Sequence, residues 1–523
     1  MKTNARTVHD DQLRHLHAVV GKARRSGDQA EAIDALARIA VLCPTDPRAH
    51  GNLAMELAAS GRHAEAVEVF RNALRLDPCN AAGHAALGHA LKQEGRFRAA
   101  LAAYRRAVEL APDTLEALEA LGVALAEAGN ADEATQVFQR ALVIDDRAVS
   151  VHFNLGIALV NLERWSDATA EFQRCLALDP LHPDATFNLG MIALAQGKHD
   201  DALTRFRRAT AMHHELRRRF DRNDTIMPFR LLHEHQQAEY LAAHGLLSPT
   251  REIWRQALAE LWARHADQPR TEPIRVSLAD RGRLSPSYND VVYDGGPCAR
   301  LPTVLNPDLD FAAIEASYFS TQPEIVVIDD LLAPDALAAF RKFCLEATVF
   351  KKSFAPGYIN SLLYSGFATP LLLQLTEEFR ARLPRIFAPH RLHLAWGIKY
   401  DSTMRGIPLH ADFAAVNVNF WLTPDEANLD PGSGGLIVWD KESPSDWPFQ
   451  EYNVAGPRVR TYLAQSEATA IRIPYRANRA VVFNSALFHE TDAIRFRDTY
   501  EDRRVNVTLL YGRKLRVGGD SGF

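Results

Sequence analysis

Small and large apolar residues recur along the first 216 residues with a fixed period of 34. Alanine appears six times at this spacing, and a larger apolar or aromatic residue follows each alanine by four positions. The pairs are Ala32 and Leu36, Ala66 and Phe70, Ala100 and Tyr104, Ala134 and Phe138, Ala168 and Phe172, and Ala202 and Phe206. Because residues four apart lie on one face of a helix, this pattern predicts amphipathic helices with a buried apolar stripe.

Glycine and proline mark the ends of these predicted helices. Glycine lies in the middle of most units and suits a turn between two helices, and proline closes most units and ends the second helix. The glycines are Gly27, Gly61, Gly95, Gly129 and Gly197, and the prolines are Pro44, Pro78, Pro112 and Pro180. Glu163 replaces the glycine of the fifth unit, and Asp146 replaces the proline of the fourth. The spacing predicts six units at about 13–46, 47–80, 81–114, 115–148, 149–182 and 183–216.

This order of small, large, glycine and proline positions resembles the tetratricopeptide repeat. The resemblance implies an all-α superhelix over residues 1–216 with a concave inner face. A protein or peptide is the partner that such a face would bind. The alternative is that the array serves as an internal scaffold or a dimerisation surface.

The pattern changes after residue 216. Residues 217–322 predict a helical cap followed, from 271 to about 320, by an extended linker rich in proline, glycine and aspartate. From 323 a short strand and an amphipathic helix lead into several short apolar runs separated by turn residues, which predicts a β-sandwich or barrel over 323–523. The later runs are 392–400, 415–422, 434–440, 480–488 and 504–512.

Composition and charge exclude several classes of protein. The chain has 523 residues, 47% of them apolar and 24% charged, and a net charge of −5, so it shows no overall attraction to nucleic acid or anionic membranes. No apolar run reaches the roughly 18 residues that a membrane-spanning helix needs, and the first residues lack the apolar core of a signal peptide. The five cysteines are scattered without a CxxC pair, which predicts neither disulfides nor a zinc site. We therefore expect a cytoplasmic protein.

One His-x-Asp sequence has the context of a metal site. The pattern occurs five times, but only His410 and Asp412 lie between two predicted strands of the C-terminal region. Residues two apart in an extended chain point to one side, so both side chains can bind the same metal. His489, at the end of the predicted strand 480–488, is the candidate third ligand; the alternative is a surface loop histidine. Two histidines and one carboxylate suit non-haem Fe(II) and leave open coordination positions.

A cosubstrate anchor is expected on the following strand. Arg504 opens it and shares one face with Asn506 and Thr508. An arginine that points inward from a buried strand needs an anionic partner, and a guanidinium can bind a carboxylate through two hydrogen bonds. 2-Oxoglutarate would chelate iron at one end and offer its distal carboxylate to Arg504. The neighbouring arginines at 495, 497 and 503 are the alternatives.

The combination of Tyr400, His410-Ala-Asp412, His489, Arg504 and Thr508 is similar to the 2-oxoglutarate/Fe(II)-dependent dioxygenase superfamily, and most like its prolyl-hydroxylase branch. The similarity covers roughly 323–513. It implies a double-stranded β-helix (jelly roll) with flanking helices, in which His410, Asp412 and His489 bind the iron. It also implies that Arg504, Tyr400, Thr508 and a residue near Asn419 or Trp421 contact 2-oxoglutarate. A carboxylate at position 412 favours hydroxylation over halogenation.

The expected function is therefore an Fe(II)-, 2-oxoglutarate- and O2-dependent hydroxylase of a protein or peptide that the repeats recruit, with ascorbate kept open as a further requirement. One alternative is a small-molecule oxygenase that uses the repeats for assembly. Another is a non-enzymatic scaffold whose oxygenase domain is degenerate. The stretch 423–470 leaves the substrate side of the pocket without a prediction.

Overall fold

A computed structural model of the protein describes residues 2–220, 225–284, 290–296, 298–354, 357–444, 447, 449–453 and 456–512. The chain forms two compact units, Met1–Leu178 and Asp179–Val517. Among the helices that are described, none combines the length and apolar character needed to cross a lipid bilayer.

The first unit consists of consecutive helical pairs that follow the 34-residue period. Its helices are α1 (Lys2–Ser26), α2 (Gln29–Leu42), α3 (Pro47–Ala59), α4 (His63–Leu76), α5 (Ala81–Gln93), α6 (Phe97–Leu110), α7 (Leu115–Glu127), α8 (Ala131–Ile144), α9 (Val149–Asn161) and α10 (Trp165–Leu178). The periodic alanines and aromatic residues, such as Ala134 and Phe138, are fully buried between the helices. The apolar period thus gives the packing that the sequence predicts.

The turn inside each pair requires a left-handed residue. Gly61 and Gly129 have φ of +79° and +77°, which glycine adopts without a steric penalty. Glu163 adopts φ of +56° at the equivalent turn of the fifth pair. The backbone geometry of the turn is therefore kept even where the glycine is missing.

A second periodic glycine, absent from the predicted pattern, lies within the first helix of several pairs. A side-chain carbon added at Gly122 would lie 2.5 Å from the ring of Phe138, and one added at Gly156 would lie 2.6 Å from Phe172. Each glycine therefore makes room for the aromatic residue of the second helix. The signal was present in the sequence, since Gly88, Gly122, Gly156 and Gly190 are also 34 residues apart.

The second unit begins with one more helical pair and continues into mixed helices and strands. Its helices are α11 (Pro183–Ala195), α12 (His199–Phe220), α13 (Pro228–Ala243), α14 (Glu252–His265), α15 (Leu278–Leu284), α16 (Phe311–Ser320), α17 (Pro334–Glu346), α18 (Pro370–Arg382), α19 (Pro384–Phe387), α20 (Phe449–Tyr452) and α21 (Pro457–Gln465). Its strands are β1 (Thr225–Ile226), β2 (Ile274–Arg275), β3 (Ile325–Ile328), β4 (Lys352–Phe354), β5 (Tyr358–Leu362), β6 (Leu392–Tyr400), β7 (Val416–Trp421), β8 (Leu436–Glu442), β9 (Ala470–Ile473), β10 (Ala480–Asn484), β11 (Leu487–Thr491) and β12 (Val505–Tyr511). Short 3-10 helices lie at Pro249–Arg251, Leu363–Ser365 and Asp425–Ala427.

Two antiparallel sheets carry the C-terminal half of this unit. The larger has the strand order β3-β10-β7-β12-β6-β5-β4, and the smaller has the order β11-β8-β9. β12 lies between β6 and β7, with Thr508 opposite Trp396 on one side and Asn419 on the other. Because β7, β10 and β12 have neighbours on both edges and are buried along almost their whole length, side chains on these strands can point only into the core or into an enclosed cavity.

The last helical pair packs into the core of the second unit. Thr210 Oγ1 donates to the Tyr364 carbonyl oxygen at 3.0 Å, and the ring of Phe187 lies edge-on to Tyr364 at 5.4 Å. His199 also contacts Glu377 at 3.0 Å. The division between the compact units therefore falls at 178/179, within the repeat array that the sequence pattern places at 1–216.

Two segments differ from the sequence-based expectation. The stretch 271–320, expected to be an extended linker, contains α15 and α16, and Val304 and Leu305 are buried with their amide groups bound to Glu378. The run 480–488, expected to be one strand, divides into β10 and β11, which belong to different sheets. His489 therefore lies inside β11 and not at the end of a strand.

Candidate metal centre

His410, Asp412 and His489 bring three ligand atoms together at one end of a cavity. Their candidate ligand atoms lie within 4.8 Å of one another, and no other such group of three was found among the described residues. His410 Nε2 is 3.9 Å from Asp412 Oδ1, and His489 Nε2 is 3.5 Å from Asp412 Oδ2. These separations suit three ligands on one face of a single metal ion.

Backbone pairing fixes the positions of the three residues. The His410 amide donates to the His489 carbonyl at 2.9 Å, and the His489 amide returns a bond of 2.7 Å. The Asp412 amide donates to Ser485 on the same returning segment at 3.0 Å. The ligands from distant parts of the sequence are thus held by a short antiparallel bridge.

The orientation of each imidazole follows from its backbone partner. His410 Nδ1 lies 2.7 Å from the Pro408 carbonyl oxygen, and His489 Nδ1 lies 3.0 Å from that of Leu487. Because a carbonyl oxygen can only accept, each Nδ1 must carry the proton. Each Nε2 is left with a lone pair that faces the cluster, which is how metal-binding histidines are usually oriented.

The protonation states also suit a metal. Burial, together with the neighbouring His489, lowers the pKa of His410 to about 4. Burial alone would raise the pKa of Asp412, but its polar contacts, among them the hydrogen bond from Asn417 Nδ2, lower it below its usual value. Neutral imidazoles beside an ionised carboxylate are the donor forms that a divalent cation requires.

Arg504 lies on the wall of the same cavity and is only 2% exposed. Its Nε and Nη2 donate to the carbonyl oxygens of Gly434 and Gly435 at 2.6 and 3.2 Å, while Nη1 has no hydrogen-bond partner. Within the part of the chain that the structure describes, no carboxylate forms an ion pair with this guanidinium. Burying an unpaired cation is costly, so the arrangement favours an anionic ligand in the cavity.

Aromatic residues surround the Arg504 guanidinium. Its central carbon lies 4.5 Å from the ring centre of Tyr400 and 5.7 Å from that of Trp421. Tyr400 lines the cavity, with its hydroxyl 3.5 Å from Thr491 Oγ1, whereas Trp421 packs against Tyr475 outside the cavity lining. Of the two alternatives from the sequence, Asn419 lines the cavity and Trp421 supports Arg504 from behind.

The remaining predicted residues divide by their exposure. Thr508 and Asn419 both line the cavity and are hydrogen bonded to each other at 2.8 Å. Arg495 and Arg497 are exposed. Arg503 is buried among groups that include Asp401 and Tyr500, and its burial lowers its pKa. Of the four arginines, Arg504 is the one that lines the cavity.

Six cavity residues were absent from the predicted site: Trp396, Ile407, Asn417, Leu436, Thr491 and Asn506. A signal existed for two of them. Asn417 and Asn419 are two residues apart on the otherwise apolar β7, and Asn506 and Thr508 are two apart on β12, directly after Arg504 at the same spacing. Polar residues at every second position of a buried strand indicate a polar cavity on one side.

The unpredicted stretch 423–470 packs partly behind the metal-binding loop. The Ala411 amide donates to the Tyr452 carbonyl at 2.9 Å, and Asn453 Nδ2 donates to the Ala411 carbonyl at 2.9 Å. Leu409, Trp447 and Phe488 belong to the apolar cluster that forms there. This segment therefore fixes the residue between His410 and Asp412.

Comparisons with known proteins account for the helical pairs. A family model described as tetratricopeptide repeat matches residues 85–149 and 153–214, and one described as TPR repeat matches 56–95. The N-terminal helical pairs are tetratricopeptide repeats. Arrays of such repeats form extended surfaces for protein interaction. A search of curated proteins gives no match.

Several solved tetratricopeptide structures resemble part of the chain. YrrB, described as a TPR protein with an unusual peptide-binding site, is 21% identical over 35% of this chain and 93% of its own, with a TM-score of 0.32. MamA from Desulfovibrio magneticus RS-1 is 24% identical over 32% of this chain and 96% of its own, with a TM-score of 0.31. PilF from Pseudomonas aeruginosa is 18% identical over 41% of this chain and 95% of its own, with a TM-score of 0.34.

Proposed function

We propose that this protein is an Fe(II)- and 2-oxoglutarate-dependent dioxygenase that hydroxylates a protein or peptide recruited by its tetratricopeptide repeats. The observation that carries the proposal is the presence of two kinds of group in one cavity. The first is the cluster of His410, Asp412 and His489, and the second is the buried Arg504 with its unused Nη1.

The donor set suits non-haem iron. Two imidazole nitrogens and one carboxylate on a single face leave positions for a chelating cosubstrate and for O2. Zinc hydrolases also use two histidines and a carboxylate. The buried guanidinium favours the iron assignment, because it supplies a binding partner for an anionic cosubstrate. Bound iron would supply the activation of O2 that hydroxylation needs.

The chain's own residues would bind and orient 2-oxoglutarate. The Arg504 Nη1 atom would donate to the distal carboxylate, while Gly434 and Gly435 hold the rest of the guanidinium in place. Tyr400 covers one side of that guanidinium and excludes water from it. The low exposure of this end of the cavity strengthens the ionic contact.

The fold of residues 323–523 as a double-stranded β-helix is part of the same proposal. Two antiparallel sheets and the short bridge between His410 and His489 support it. Recruitment of a protein or peptide is supported by the repeats themselves, whose stacked helices offer an extended surface. The cytoplasmic location belongs with these proposals.

Succinate formation is the direct test of the proposal. We expect the 523-residue chain, loaded anaerobically with Fe(II), to form succinate only when 2-oxoglutarate and O2 are both added, and faster with a peptide substrate. Cosubstrate binding is measured separately by calorimetry on protein loaded with Mn(II). If no iron binds and no succinate forms, the non-enzymatic scaffold is the correct assignment.

Replacement of Arg504 tests the cosubstrate contact. Arg504→Ala should weaken 2-oxoglutarate binding about 10- to 100-fold, because it removes a charge-assisted hydrogen bond, while metal affinity persists. Arg497→Ala, which removes an exposed arginine, is the matched control. Unchanged 2-oxoglutarate affinity in Arg504→Ala would assign the contact to a different residue.

A further inference from the structure

A continuous chain of side-chain hydrogen bonds runs from the metal centre along the cavity wall. Asn417 Nδ2 donates to Asp412 Oδ2 at 2.8 Å, and Asn419 Nδ2 donates to Asn417 Oδ1 at 2.5 Å. Asn506 Nδ2 and Thr508 Oγ1 then donate to Asn419 Oδ1 at 3.0 and 2.8 Å. The hydrogen bonds thus lead from Asp412 through Asn417 to Asn419 and branch there to Asn506 and Thr508, which are also hydrogen bonded to each other at 2.9 Å.

Strand register explains why these residues meet. Asn417 and Asn419 are two apart on β7, and Asn506 and Thr508 are two apart on β12, so each pair points to the same side of its strand. The register places Thr508 opposite Asn419. The chain of bonds therefore crosses between two central strands of the larger sheet.

Because these residues are buried, their polar groups would cost free energy if they were not hydrogen bonded. Asn417 is fully buried, and the exposed fractions of Asn419, Asn506 and Thr508 are 6%, 3% and 3%. A buried amide costs free energy unless it is hydrogen bonded, and valine or isoleucine would fill the same strand positions without that cost. Amides at these positions therefore call for a role beyond packing.

The hydrogen bonds of this network have a fixed donor-to-acceptor direction. A carboxylate that binds a metal can only accept hydrogen bonds, so Asn417 must present its NH2 group to Asp412. Its carbonyl oxygen then faces Asn419, which must donate, and the oxygen of Asn419 must accept from Asn506 and Thr508. Each amide orientation is thus determined by its neighbour on the metal side. Asn506 Oδ1, at the far end, is buried without a hydrogen-bond partner among the described residues.

We propose that Asn417 is the positioning residue for Asp412 and that Asn419, backed by Thr508 and Asn506, acts on metal affinity through Asn417. This inference rests on the proposed metal centre. Among the residues that it adds, Asn417 is hydrogen bonded to the ligand Asp412, and the other three reach Asp412 only through Asn417. Partners that orient a metal ligand typically change metal affinity by about 10- to 100-fold when they are removed.

The test is Co(II) binding to the metal-free 523-residue chain without 2-oxoglutarate. We expect Asn417→Ala to weaken Co(II) binding about 10- to 100-fold. Asn419→Ala should weaken it by a smaller factor, about 3- to 10-fold, because Asn417 keeps its hydrogen bond to Asp412 but loses the donor that holds its carbonyl oxygen in place. The double variant should bind no more weakly than Asn417→Ala, since the effect of Asn419 passes through Asn417.

The ligand-field absorption of bound Co(II) is the second readout. It should change in both single variants, because the geometry of Asp412 at the metal changes. Gln374→Ala is the matched control: Gln374 is a buried carboxamide of α18, 6% exposed, that is hydrogen bonded to Leu301 away from the cavity. Its Co(II) affinity and spectrum should equal those of the unaltered protein. If alanine prevents folding, serine at the same position is used.

The outcomes distinguish the relay, meaning the effect of Asn419 on metal affinity through Asn417, from the proposed function. Unchanged affinities in both single variants, or factors that multiply in the double variant, would overturn the relay while leaving the metal centre in place. If the unaltered protein bound no Co(II), the metal centre and the proposed function would fall with the relay. Co(II) binding with relay behaviour but without succinate formation in the iron-loaded protein would reject the dioxygenase alone.

Discussion

Lys399 is a buried cation on the strand that also supplies Tyr400 to the cavity. It is 3% exposed, and its Nζ donates to the Tyr500 hydroxyl at 3.2 Å and lies 4.4 Å from the ring centre of Phe350. Burial, followed by the positive charges of Arg503 and Lys351, lowers the pKa of Lys399 to about 7. Its unfolded pKa is about 10.4.

This difference predicts how stability depends on pH. Between about pH 7 and 10 the unfolded chain binds a proton at Lys399 that the folded chain does not, so the free energy of unfolding should rise with pH. The increase in the free energy of unfolding that Lys399 causes is at most about 1.4 kcal/mol per pH unit, and it vanishes below pH 7, where Lys399 is protonated in both states. Urea unfolding at pH 7, 8 and 9 measures it.

Lys399→Met should remove this part of the pH dependence, because methionine does not titrate. Lys352→Met, at an exposed lysine of the edge strand β4, should leave it unchanged. Equal slopes for the unaltered protein and Lys399→Met would mean that Lys399 stays protonated in the folded state.

Individual site residues differed in how far the sequence could predict them. His410, Asp412, His489 and Arg504 could be chosen because each is a polar or charged residue within or beside a predicted apolar strand, and the structure brings all four to one cavity. Asn417 and Asn506 were not chosen, because an asparagine has no chemistry of its own that indicates a metal site. Their importance comes from partners on another strand, which a single sequence does not pair.

At the scale of elements, the turn at Glu163 has a left-handed backbone conformation at a residue that is not glycine. A residue with a Cβ atom in the left-handed region costs about 1–2 kcal/mol, and Glu163 takes the place where neighbouring repeats have glycine. Glu163→Gly should stabilise the repeats by about 0.5–1 kcal/mol, since the larger freedom of glycine in the unfolded chain offsets part of the gain. Thermal unfolding followed by helical circular dichroism measures the effect.

The preceding repeat provides the reverse substitution. Gly129 has φ of +77°, and an added side-chain carbon would meet nothing within 4 Å. Gly129→Ala therefore changes backbone strain without a clash and should destabilise the repeats by about 1 kcal/mol. A loss of stability in Glu163→Gly would show that contacts of the glutamate side chain outweigh the strain of its backbone.

The period of the helices and the composition of most strands were predictable from local sequence. The strand expected at 392–400 has these bounds in the structure, because it is a long apolar run with clear turn residues after it. The run 480–488 was harder, because its apolar residues continue through Ser485 and Ala486, where the chain leaves one sheet for the other. Such a break is set by tertiary pairing and leaves no gap in the apolar pattern.

At the scale of the molecule, the boundary between the two units falls one repeat before the end of the repeat array. Ala202, Leu203 and Phe206 of the sixth repeat belong to the same apolar core as Phe340 and Leu371 from the C-terminal part of the chain. The sequence pattern alone could not reveal this, because the sixth repeat has the same small and large positions as the others. Its different environment depends on contacts made far along the chain.

This shared core determines where the protein can be divided. A fragment that starts at Asp179 keeps the sixth repeat, whereas one that starts at residue 217 exposes the surface that Leu203 and Phe206 cover. The shorter fragment should lose at least about 3 kcal/mol, since each large buried side chain contributes roughly 1.5–3 kcal/mol. Urea midpoints of the two fragments compare them, and equal midpoints would contradict the shared core. The sixth repeat has the same sequence pattern as the others but is part of the core of the second unit, so a stable C-terminal fragment has to begin one repeat before the end of the array.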